Sequence, residues 1–186
     1  TSAMRLGQKY HFDAGHGIRV ARTAQSLFEQ TQELHSLKEE DQMLLKIAAL
    51  LHDIGHFIGA LNHDRHGYYI LRNSPLIGLD GRQQDLISIL VRNHRKATLK
   101  DQDELSKPLS RKERMTIDQL SALLRLADAI EVSHTTRIRD VKMQKEKRCW
   151  QLRMIGEGNL LLEKWALAKR KSLFEEVFKT HLEVLD

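Results

Sequence analysis

Leu44-Leu45-Lys46-Ile47-Ala48-Ala49-Leu50-Leu51-His52-Asp53-Ile54-Gly55-His56 is the stretch on which the reading of this chain turns. It is an apolar helical run that ends in a histidine and an aspartate side by side. Buried without partners, such groups cost several kcal/mol each or shift their pKa values until they are neutral. A divalent metal removes that cost by taking the imidazole nitrogen and the carboxylate oxygen as ligands. The pair therefore reads first as a metal site, in the last turns of a helix predicted over 40–57.

Outward from this run the pattern stays helical. Val20, Ala24, Leu27, Phe28 and Leu34 fall near a 3.6-residue period and predict a helix over 15–37, opened by His16. Asn62-His63-Asp64-Arg65-His66-Gly67 reads as a polar loop leading into a short helix over 68–72, which Asn73-Ser74-Pro75 breaks. A helix over 82–95 carries Leu86, Ile87, Leu90, Val91 and His94 on one stripe. Ser110 with Glu113 three residues on is a capping box, and the helix it starts runs through Leu120, Leu123, Leu124 and Ala127 to Asp128. Beyond Thr136 the texture changes. Strands are predicted over 137–146, 149–155 and 160–165, the last two joined as a hairpin by Gly156-Glu157-Gly158-Asn159. An amphipathic helix over 172–181 follows, with room for one more short strand.

The expected fold class is mainly α: a helical bundle over 11–136 carrying a small α+β subdomain over 137–186. Residues 1–10 are set aside as a tag-like, disordered start. The chain has 186 residues, 41% of them hydrophobic and 30% charged, which suits one globular domain. Cys149 is the only cysteine, which excludes an internal disulfide and a Cys-based zinc site and fits a reducing cytoplasm. No apolar run is long enough to span a membrane. A formal net charge of +5 favours an anionic partner, whereas an aromatic content of 5% gives nucleic acid little to stack on.

Four residues at apolar helix faces demand partners: His16, His52, Asp53 and Asp128. Asp128 lies among Leu and Ala, and Arg125 three residues back could neutralise it instead of a metal. His63 and His94 come between the His-Asp pair and Asp128. With Asp53 as a bridge they could hold a second ion, and two such ions would clamp the attacking and leaving oxygens of a phosphate displacement. Otherwise His63 and His66 are exposed loop residues and His94 packs as a neutral imidazole. His56 reads as an outer or surface residue. Arg65, Arg72, Arg92, Arg95, Lys96 and Arg125 cluster nearby in sequence, and guanidinium groups suit phosphate oxygens, although any single one could simply face solvent.

The order His16…His52-Asp53…Asp128, in the contexts Ala-Leu-Leu-His-Asp-Ile-Gly and Leu-Ala-Asp-Ala, resembles the HD superfamily of metal-dependent phosphohydrolases. The runs His16–Ala21, Leu34–Leu37, His63–Asn73, Val91–Lys96 and Leu123–Ala129 go further. They resemble the C-terminal helical domain of the exopolyphosphatase and guanosine pentaphosphate phosphatase (Ppx/GppA) family, from about residue 11 onward. The resemblance implies a divalent ion (Mn, Fe, Co, Ni, Zn or Mg, one or two) on His16, His52, Asp53 and Asp128. It also implies a small phosphorylated substrate such as a nucleotide, guanosine polyphosphate or polyphosphate. Asp53, His94 and Arg95 are the catalytic candidates, and Arg65, Arg72, Arg95, Lys96 and Arg125 the phosphate-binding ones. The family's phosphoanhydride chemistry belongs to actin-like domains with glycine-rich loops, which these residues do not supply. The alternative is therefore a non-catalytic module that binds polyphosphate or dimerises. A homodimer is admitted by either reading.

Overall fold

The computed structural model describes residues 1–185. It is mainly helical with one small sheet, and no helix is long and apolar enough to cross a membrane among the described residues. The helices in chain order are α1 (Ser2–Lys9), α2 (Ala14–Gln30), α3 (Gln32–His35), α4 (Glu39–Leu51), α5 (His63–Arg72), α6 (Gly81–Asn93), α7 (Asp103–Ser106) and α8 (Arg111–Ile130). Strands β1 (Ile138–Lys145) and β2 (Cys149–Gly156), helices α9 (Leu161–Arg170) and α10 (Ser172–Phe178), and strand β3 (His181–Val184) complete the chain.

α8 is the axis of the molecule. From Leu120 to Ile130 every side chain is buried, which is the pattern of a helix packed on all sides rather than on one stripe. Its start is fixed by the predicted capping box: the Ser110 hydroxyl accepts from Glu113 N at 3.2 Å and Glu113 Oε2 accepts from Ser110 N at 2.7 Å. α2, α4, α6, α9 and α10 all pack against it. Glycine sets how closely α2 meets α4. A Cβ built on Gly17 would lie 2.5 Å from the Leu50 carbonyl oxygen, so only a bare Cα allows this approach.

Three expected helices are redrawn. The first ends at Gln30, because the Thr31 hydroxyl turns back onto Leu27 O at 2.7 Å and competes with the helical ladder. The helix expected over 40–57 stops at Leu51, with His52 as its C-cap, and a single 3-10 turn (Ile54–Phe57) follows. The short helix expected over 68–72 starts earlier, at His63, so His63 and His66 lie on a helix instead of a loop.

Two further expectations are corrected. Residues 160–165 do not form a strand. They open α9, whose buried face is Glu163, Ala166 and Leu167, a helical spacing, while Leu161, Leu162 and Trp165 remain exposed. The apolar triplet Leu160-Leu161-Leu162 mimicked a strand, but Glu163 to Ala168 is rich in helix formers. The hairpin is accordingly β1–β2, antiparallel, closed by Glu146 N donating to Cys149 O at 2.8 Å. β3 pairs in parallel with β2, giving the order β1-β2-β3. Residues 2–9, set aside as a disordered start, form α1, which buries Ala3 and Leu6 against the same core. That core runs unbroken from the helices to Val141, Trp150, Leu152, Leu167 and Phe174.

Candidate metal and phosphate site

The helix ends converge on one point. α2 presents His16 from its first turn, the end of α4 presents His52 and Asp53, and α8 presents Asp128. His52 Nε2 lies 3.4 Å from Asp53 Oδ2 and 3.4 Å from Asp128 Oδ1. His16 Nε2 lies 3.8 Å from the same two oxygens. All four residues predicted to act together do meet.

The protons decide what this arrangement can do. His52 Nδ1 lies 2.8 Å from Ala49 O. A carbonyl can only accept, so Nδ1 carries the ring proton and a neutral His52 points a bare lone pair at two carboxylates. Neither His16 nitrogen nor His52 Nε2 has a hydrogen-bond partner among the described residues, though all three are buried. A hydrogen-bond donor or a cation is required between them. A proton is one answer: burial opposes charge on His52, but Asp53 and Asp128 outweigh it and raise its pKa well above the usual value. Burial opposes the charge of both carboxylates as well, yet His52 holds each of them well below the usual range. His16, dominated by its burial and then by the charge of His52, is pushed down to about 4.

A divalent ion is the other answer, and the donor set fits one. A tetrahedral ion with bonds of about 2.1 Å has ligand atoms roughly 3.4 Å apart. The four histidine–carboxylate separations of 3.4 to 3.8 Å lie near that spacing, whereas Asp53 groups within 4.8 Å with His16 and His134 rather than with Asp128. His16, His52 and Asp128 each bring a ligand atom within 4.8 Å of the others.

Asp53 faces both ways. Its Oδ1 lies 3.3 Å from His63 Nε2, 3.5 Å from His56 Nε2 and 3.8 Å from His94 Nε2. His63 Nδ1 is 3.1 Å from Ala60 O and His94 Nδ1 is 2.6 Å from Val91 O, so both rings carry their proton there. Yet the two Nε2 atoms are only 3.1 Å apart. Two lone pairs at that distance also need a cation or a proton between them, and burial holds His94 down to about 3. Asp53, His56 and His63 form a second group whose ligand atoms lie within 4.8 Å of one another. His56, read from the sequence as an outer residue, belongs to the cluster, its ring stacked on His63 at 4.0 Å.

Two further residues had no signal in the sequence. His134, in the left-handed region at φ 53, stacks on His16 with ring centres 3.6 Å apart. Arg170, at the end of α9, ion-pairs Asp128 Oδ2. Both line the small cavity over the cluster, with Arg95.

The basic residues divide. Arg95 lines that cavity and, with His63, also lines an adjoining cleft of about 490 Å³ that Arg65, Arg92 and Lys96 complete. Arg92 is paired with Asp64 at its edge. Arg72, on the outside of α5, ion-pairs Asp85 and takes no part. Arg125 is also turned away from phosphate duty. It is buried and donates to Asn93 O at 2.9 and 2.8 Å and to Ala97 O at 2.6 Å, tying the loop after α6 to α8. It does not pair with Asp128, as its spacing allowed; Arg170 does.

Fold and cluster together define a mainly helical domain built round a buried group of histidines and aspartates. The sequence model of the Ppx/GppA phosphatase, domain III, matches residues 1–175, and the chain belongs to that family. The match takes in α1. Among curated relatives, the guanosine-5'-triphosphate,3'-diphosphate pyrophosphatase of Pseudoalteromonas atlantica is 38% identical over 89 residues, 47% of this chain and 18% of the relative. The protein of the same name from Aeromonas hydrophila is 36% identical over 95 residues, 50% of this chain and 19% of the relative. Each alignment thus covers less than a fifth of the relative's length.

Proposed function

We propose that this chain is a metal-dependent phosphohydrolase of the HD type, acting on a phosphate ester or phosphoanhydride such as a guanosine polyphosphate, nucleotide or polyphosphate. The observation that carries the reading is the orphaned nitrogen of His52, fixed as a lone pair by Ala49 and aimed between two carboxylates. His16, His52, Asp53 and Asp128 would hold one ion; Asp53 with His63 and His94, joined by His56, a second. A divalent ion in this seat supplies Lewis acidity toward a phosphoryl oxygen and a more acidic water.

The chain's own residues supply the rest. Asp53 joins the two halves of the cluster through its separate oxygens. His94, kept neutral by burial, presents its bare nitrogen to the same oxygen as His63. Arg95 stands where the cavity meets the basic cleft, able to hold a phosphate oxygen, while Arg65 and Lys96 extend positive charge outward for further phosphates. The names of the relatives support a guanosine polyphosphate among the substrates.

A second reading has one observation in its favour. Arg170 already gives Asp128 a counter-charge without any ion, as a non-catalytic polyphosphate-binding module would require. Elemental analysis of the purified protein, followed by a phosphoester and phosphoanhydride panel with added Mn, separates the two. Bound metal with turnover supports the enzyme. Absence of both, with polyphosphate still bound, leaves the binding module.

A further inference from the structure

We propose that Arg170 is a substrate-binding residue: its guanidinium, held by Asp128, receives a phosphoryl oxygen of the substrate in the cavity over the histidine cluster. This rests on the phosphohydrolase reading and names a group that the reading does not contain. Arg170 is the last residue of α9, and its side chain is 17% exposed where it lines the cavity with Asp53, His63, His94 and Arg95. A guanidinium has five N–H donors in a rigid fork. Here one nitrogen, Nη1, meets Asp128 Oδ2. The guanidinium makes no other hydrogen bond or ion pair to a described residue, and the side chain lines a polar cavity of about 130 Å³, room for a phosphoryl group or a few waters.

Arg95 and Arg170 balance the Asp53 and Asp128 carboxylates that also line the cavity, so an anion is favoured there once the proposed ion is in its seat. Arg125 lies close enough that, after burial, Arg170's charge is the next cause lowering its pKa to about 10. Arg125 has no freedom to respond, because three donor contacts bind it to Asn93 and Ala97 carbonyls. Arg95 lines the same cavity. A phosphate oxygen entering it would meet one arginine whose direction is fixed by a carboxylate and another free to close on it. Fixing a donor before the ligand arrives reduces the ordering cost of binding.

The test uses the whole chain and inorganic phosphate as probe, in calorimetric titrations of wild type, Arg170→Gln and Arg170→Lys, with metal content and thermal unfolding measured on each. Arg170→Gln is expected to weaken phosphate binding by roughly tenfold or more, the loss of one charge-assisted donor set. Metal content should be unchanged and KM for a phosphoryl substrate should rise. Arg170→Lys should recover part of the affinity. Phosphate affinity equal to wild type in a folded Arg170→Gln overturns the proposal. So does a variant that loses metal while phosphate affinity stays, since Arg170 would then only position Asp128. Failure of the underlying reading looks different: wild type itself would carry no metal and turn nothing over.

Discussion

The two faces of Asp53 are built from the same residue types and differ in charge and in access. Toward Oδ2 the cluster is closed: His16 and His52 are buried, and a second carboxylate, Asp128, shares the space. Toward Oδ1 there is one carboxylate oxygen for three histidines; His56 is half exposed in the small cavity, and His63 also lines the basic cleft. Cation affinity follows the number of anionic ligands and the dryness of the seat. The inner face should therefore hold an ion tightly, and the outer face should hold one weakly, next to incoming phosphate.

Asp53→Ala breaks the comparison altogether, because both faces lose their shared carboxylate. Metal content measured after dialysis should fall to background, and phosphatase activity should drop by more than the roughly 10–100-fold that loss of an outer partner causes. Metal retained at wild-type level would refute the inner site. His63→Ala sharpens the comparison. Metal per chain should fall from two to one, the remaining ion surviving a mild chelator, with activity reduced but inner-site occupancy intact. Loss of both ions together would mean that the faces are not independent. The smallest effect is expected far from either face, at Glu113, about 22 Å along α8 from Asp128 at 1.5 Å per residue. Its hydrogen bonds with Arg82, and then the Ser110 amide, hold its pKa down to about 2 from 4.5. A carboxyl lowered in the fold stabilises above its unfolded pKa and loses that contribution as pH falls through the folded one. Glu113→Gln should flatten the fall in stability between about pH 4.5 and about pH 2, seen in denaturant melts, by a small, salt-screened amount. Metal content should not move.

His16, His52, Asp53 and Asp128 were legible from the sequence as an ordered set at apolar helix faces, although single members had plainer explanations, such as Arg125 beside Asp128. His63 and His94 were legible only as an order along the chain. What brings them together is the end of α6 meeting the start of α5, and that start was misplaced by five residues, since a polar run looks the same in a loop as in a helix's first turn. His56 looked peripheral because the expected helix ran on to residue 57 and put it one turn beyond His52; the helix ends at Leu51 instead, and a 3-10 turn carries His56 onto His63. Arg170 was hidden in Lys169-Arg170-Lys171, a basic run with no feature to separate its middle member, at the end of an element whose opening was taken for a strand. Long-range packing chose it over Arg125, the obvious neighbour.

The contact between Gly17 and Leu50 has a further consequence. Because backbone rather than side chain sets the distance between α2 and α4, the gap between His16 and His52 is set by that close approach. A calcium ion, which asks for six to eight oxygens at about 2.3–2.6 Å, would find the bore too narrow and too rich in nitrogen. Size discrimination at the inner seat would then be inherited from a single missing methyl group on the neighbouring turn.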